Sequence, residues 1–147
     1  IRVFELSLKD LDLLGRSEAG SPFIGSRACA ACHGEAHAAW GATAHARALG
    51  ALRPEKGLYD PLCLRCHTTA PGSGGYASEE KTPEFAGVGC ECCHGPCRAH
   101  AEAPLTAARV KTPGHPEEVC LTCHESDHSR PFSRPERLSA IRHAEKE

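Results

Sequence analysis

The chain has no methionine and only one Trp, two Tyr and four Phe in 147 residues. Without Met, it cannot supply a thioether side chain to a metal. Aromatics are 5% of the sequence. Its own side chains therefore bury little apolar surface against the cost of ordering the chain. Something other than side chains is expected inside. A basic excess is also missing: 17 Lys and Arg face 19 Asp and Glu, for a net charge of −2 with neutral His. That removes the electrostatic basis of nucleic-acid binding. No apolar run approaches the roughly 18 residues of a membrane span, so no transmembrane helix is expected. An initiating Met is absent as well. The chain begins at Ile1 and is read as a processed product or excised domain, its export signal lost with the start.

What is plentiful is ten Cys and ten His, with 14 Gly and 11 Pro. Eight of the cysteines fall into one repeated pattern. It reads Cys29-Ala-Ala-Cys32-His33, Cys63-Leu-Arg-Cys66-His67, Cys90-Glu-Cys-Cys93-His94 and Cys120-Leu-Thr-Cys123-His124. Successive first cysteines are 34, 27 and 30 residues apart, but the text between them does not align as repeats.

Three chemistries use dense cysteine: disulfides, zinc and covalent haem. Zinc sites use Cys-x-x-Cys pairs but do not require His directly after each. With 10 His in 147 residues, four such pairs would all precede His by chance only about twice in 10⁵. In c-type attachment the two thiols add to the haem vinyl groups and the adjacent His binds iron. Four covalent haems are therefore expected, and they would fill the thin interior. Cys92 and Cys97 are left over. Both a disulfide between them and two buried free thiols remain open. Four ferric haems with ionised propionates move the net charge from −2 to roughly −6. Covalent haem is loaded outside the cytoplasm, so a periplasmic or extracellular location is expected.

Residues 1–20 contain no Cys or His and are read as an N-terminal arm; residues 21–147 are read as the haem-binding domain with a C-terminal tail. "EAHAAWGATAHARALGAL" favours helix, and "TTAPGSGGYASEEKTPEF" is loop punctuation. The expected fold is mainly α, with short helices, long irregular connections and little or no sheet.

Each iron also needs a ligand on its far side. With Met absent, His is the available second ligand; otherwise the site stays open. His37 and His128 each lie four residues after a motif His, on the same helical face. They are read as surface or propionate partners. His45, His100 and His115 are the favoured distal ligands. His143, in the polar tail, is a solvated residue, a cap for the haem of His67, or a cap for a haem in a neighbouring subunit. Glu91 and Arg98 are read as ordinary surface residues.

These residues resemble the tetrahaem cytochrome c-554 family, electron acceptors of hydroxylamine oxidoreductase in ammonia oxidisers. The resemblance covers about residues 21–125. It rests on "CAACH", Trp40 and "TAHARA", "GGY" after the second motif, "GVGCECCHGP" at the third, and a His five residues before the fourth. It implies helices wrapped round stacked haem pairs. It further implies His100 opposite His33, His45 opposite His94, His115 opposite His124, and no protein ligand opposite His67. The chain departs from the pattern at Cys92 and Cys97, in a shorter loop from His94 to His100, and in lacking a basic character.

The leading functional reading is electron transfer between redox partner proteins. Alternatives are reduction of a small nitrogen oxide at an open iron on His67, and self-assembly into a conductive filament.

Overall fold

A computed structural model describes residues 20–52, 57–103 and 116–124, together with Leu138, Ser139, Ile141 and His143. The N-terminal arm, His115 and His128 lie outside the described residues. The architecture is a succession of short helices: α1 (Ser26–Cys29), α2 (Gly34–Gly41), α3 (Pro61–His67), α4 (Cys90–His94), α5 (Arg98–Glu102) and α6 (Pro116–Leu121). Single 3₁₀ turns occur at His45–Arg47, Leu49–Ala51 and Pro83–Phe85. Among the described residues there is no strand, only an isolated antiparallel bridge between Thr68 and Ala86. The fold is mainly α with irregular connections, as the composition implies.

The helices are short because the sequence keeps interrupting them. α2 runs through "GEAHAAWG" and stops at Gly41. α3 starts where Asp60 accepts a hydrogen bond from the Leu62 N–H at 2.9 Å, with Pro61 in the first turn. That is a favoured N-cap followed by a residue whose missing N–H costs nothing there.

The side-chain core is small. Leu49, Leu64, Tyr76 and Phe85 are buried together, with Phe23, Leu52, Leu58 and Ala86 packed against them. Burying such side chains stabilises by about 1.5–3 kcal/mol each. Leu64 is fully buried and lies inside the second motif, so this core anchors α3.

Polar contacts do the rest. Thr69 is a hub after α3: its hydroxyl donates to the Gly87 carbonyl at 2.9 Å and accepts from the Gly89 N–H at 2.9 Å. The Ser26 hydroxyl accepts from the Cys90 N–H at 3.0 Å. These bonds draw the segment before α4 against both α1 and the end of α3. The "GVG" run permits that approach. Gly87 has φ +102°, and a side chain there would begin 2.7 Å from the Ala46 carbonyl oxygen. One at Gly89 would begin 2.5 Å from the Ser26 hydroxyl. Only glycine fits such positions without displacing its neighbours.

Candidate haem-binding site

Each motif folds as one helical turn. The His33 N–H donates to the Cys29 carbonyl at 2.8 Å, and the His124 N–H to the Cys120 carbonyl at 2.9 Å. The second and third motifs lie within α3 and α4. A residue and its fourth successor share a helical face, so each motif His stands on the side of its first Cys.

The four turns touch in sequence. The thiols of Cys29 and Cys90 are neighbours, and the Ser26 hydroxyl just ahead of Cys29 accepts from the Cys90 N–H, joining the first motif to the third. Their mutual influence pushes the Cys29 thiol up and the Cys90 thiol down. Burial pushes Cys93 up to about 11, and the neighbouring Cys92, Cys120 and Cys90 add to it. Cys120 and Cys123 both act on Cys93, so the fourth motif lies beside the third. Cys66 Sγ lies 4.0 Å from the Thr122 carbonyl, linking the second motif to the fourth. The spatial order is first, third, fourth, second.

Three of the four motif histidines face another histidine. Ring centroids are 6.3 Å apart for His33 and His100, 6.0 Å for His45 and His124, and 5.8 Å for His94 and His143. With metal–imidazole bonds near 2.0–2.1 Å, two imidazoles on opposite sides of one metal have ring centres about 6 Å apart. Burial first, and then His124, lower the His45 pKa below the usual histidine value. That favours the neutral ring a metal requires. Among the described residues, Nδ1 of His100 is buried with no hydrogen-bond partner. Such a nitrogen is costly unless something engages it.

His67 is arranged differently. Its Nδ1 sits 2.7 Å from the Ala48 carbonyl oxygen, which favours a proton on Nδ1 and leaves Nε2 free as a ligand. Among the described residues no other imidazole ring faces it. Leu62 and Leu121, 73% and 51% exposed, directly flank Cys63 and Cys120. Apolar surface beside these cysteines suits an apolar group attached through them.

The approach of rings differs from the sequence expectation at two points. His45 faces His124 rather than His94; its carbonyl accepts from the Val88 N–H at 2.9 Å, while Trp40 Nε1 donates to the Val88 carbonyl at 2.9 Å. These bonds fix the backbone of His45 beside the "GVG" segment. His143 faces His94 rather than His67.

Cys92 and Cys97 are separate thiols with different surroundings. Cys92 Sγ contacts the Thr69 hydroxyl at 3.4 Å; Cys97 Sγ contacts the Gly95 carbonyl at 3.1 Å. Burial pushes both pKa values up, to about 11 for Cys97, which leaves them as unreactive neutral thiols.

Sequence reasoning missed Glu91 and Arg98. Glu91 is only 3% exposed, and its carboxylate accepts backbone N–H groups from both sides of the first–third junction. Arg98 donates to the carbonyls of Ser21 and Phe23. The only sequence signal was placement: the residue after the first motif Cys is Ala30, Leu64 and Leu121 elsewhere, but Glu91 in the third motif.

The family model described as cytochrome c554 and c-prime matches residues 28–95. The chain is 33% identical over 146 aligned residues to cytochrome c-554 of Nitrosomonas europaea, covering 78% of this chain and 62% of that protein. It thus spans less than two thirds of that relative's length. The solved structure of the reduced state of cytochrome c554 from Nitrosomonas europaea superposes with a TM-score of 0.52 at 29% identity, covering 86% of this chain and 80% of that one. With the same family found by sequence and by fold, the chain belongs to the cytochrome c554 family.

Proposed function

We propose that the protein is an electron carrier with four covalent c-type haems, working between redox partner proteins in the periplasm or outside the cell. The observation that carries this reading is the unbroken line of four Cys-x-x-Cys-His turns, three of whose histidines have a second imidazole at a two-ligand spacing. When bound, haem supplies a one-electron iron couple.

The chain's own residues hold and order these groups. Cys29, Cys32, Cys63, Cys66, Cys90, Cys93, Cys120 and Cys123 are the attachment points. His33, His67, His94 and His124 are the proximal ligands. His100, His45 and His143 complete the first, fourth and third sites. His115 is a further candidate ligand by its position in the sequence. The Ala48 carbonyl orients His67. The contacts between motifs set the order of sites along the line, and with it the route open to electrons.

Intact-mass measurement of the mature protein tests the count. The expected value exceeds the polypeptide by four haems; zinc in place of iron would overturn the reading. His45→Ala and His143→Ala should each turn one low-spin haem high-spin without changing haem content. Unchanged spectra in both variants would refute the ligand set.

A second reading concerns His67 alone. Its ring has no facing imidazole among the described residues, while each of the other motif histidines has one. An iron with an open position there would bind small ligands and support reduction of a nitrogen oxide. Carbon monoxide binding to one reduced haem in four is the expected result. No binding would remove this reading and leave electron transfer standing.

A further inference from the structure

We propose that Glu91 is a positioning residue. Its buried carboxylate clasps the first and third motifs together and makes the haems attached there the hardest of the four to reduce. This rests on the reading that the chain carries covalent haem.

The geometry of the clasp is explicit. Oε1 of Glu91 accepts the N–H groups of Ile24 at 3.2 Å and Cys97 at 2.8 Å. Oε2 accepts those of Ile24 at 3.2 Å and Gly25 at 2.8 Å. Ile24 and Gly25 lead directly into α1 and the first motif; Cys97 follows the third. One side chain therefore holds both approaches to the Cys29–Cys90 contact. Arg98 closes the same joint from outside through the Ser21 and Phe23 carbonyls, and its own N–H donates to the Pro22 carbonyl at 3.0 Å.

The charge follows from the donors. Every described partner of the Glu91 carboxylate is an N–H, and a carboxylate whose two oxygens only accept is the group such donors suit. Among the described residues no cation pairs with it; Arg98 pairs with Glu102 at 3.4 Å instead. Backbone dipoles satisfy the carboxylate without cancelling its charge. A buried, uncancelled negative charge opposes the arrival of an electron nearby more strongly than a solvated one would. The corresponding positions of the first, second and fourth motifs are Ala30, Leu64 and Leu121, so only the first–third junction carries this charge. Electrons should collect at the opposite end, at the haems of His124 and His67.

The test uses the full-length, haem-loaded protein with Glu91→Gln and Glu91→Asp. Haems are counted by intact mass, and midpoint potentials are then read by spectroelectrochemical titration with electron paramagnetic resonance. Glu91→Gln should carry four haems and shift two reduction equilibria about tenfold toward the reduced form, or about 59 mV for a one-electron couple. The other two haems should stay in place. Glu91→Asp keeps the charge, so it should hold near wild-type potentials while unfolding at a lower temperature. A Gln variant with four unmoved potentials, or with all four moved equally, overturns the proposal. So does an Asp variant shifted as far as Gln. Should Glu91→Gln lose haem, the wild-type titration decides. The haem whose low-spin signal disappears in His100→Ala must be among the last two reduced, and finding it reduced first overturns the proposal. Wild-type protein without covalent haem would instead overturn the functional reading beneath it.

Discussion

The junction of the first and third motifs and that of the second and fourth are built in different ways. In the first, backbone N–H groups, a buried carboxylate, Ser26 and two neighbouring thiols converge on adjoining residues. In the second, Cys66 Sγ approaches the Thr122 carbonyl at 4.0 Å, and exposed Leu62 and Leu121 flank the cysteines. The polypeptide itself locks one pair of attachment sites. The other pair presents apolar surface at Leu62 and Leu121 that attached groups would cover, while Leu64 ties its second motif to the side-chain core.

Removing the clasp should have the largest effect. Glu91→Ala leaves the buried N–H groups of Gly25 and Cys97 and the half-buried one of Ile24 without their acceptor. At about 1–3 kcal/mol for each unsatisfied group, a loss of roughly 3 kcal/mol or more is expected by chemical denaturation. A loss under about 1 kcal/mol would erase the contrast between the junctions. Thr69→Val should come next. It removes the hydroxyl joining Gly87 and Gly89 to the end of α3 and should cost about 2 kcal/mol. Hydrogen exchange should then speed up at Gly89 before it does at Gly25.

At the second motif, Asp60→Ala removes an exposed N-cap and should cost about 1 kcal/mol. Haem content should be unaffected. A larger loss there than for Thr69→Val would reverse the ranking of the two regions. The smallest effect concerns Cys92 and Cys97. As separate thiols they should make the midpoint of unfolding insensitive to reductant, and thiol titration of the unfolded, haem-loaded protein should find two free groups. One disulfide and no free thiol would contradict the structure.

The sequence by itself determined what is local. Cys-x-x-Cys-His needs only one helical turn to place its Cys and His on one face, so five consecutive residues carry the whole signal. The scarcity of aromatics announced a small core, and Gly and Pro announced short helices. The tertiary structure alone decided what depends on remote approach. His45 could be assigned to another motif from its spacing, but that its ring meets His124 rather than His94 depends on the approach of a distant segment that nothing near it in the sequence announces. His143 looked like a tail residue because nothing beside it in sequence reveals His94 across from it. Glu91 looked like a surface residue because charge alone cannot show that backbone donors from two distant segments will surround it. Local geometry is written in neighbouring residues, whereas a site completed across the fold depends on which distant segments the packing brings into contact.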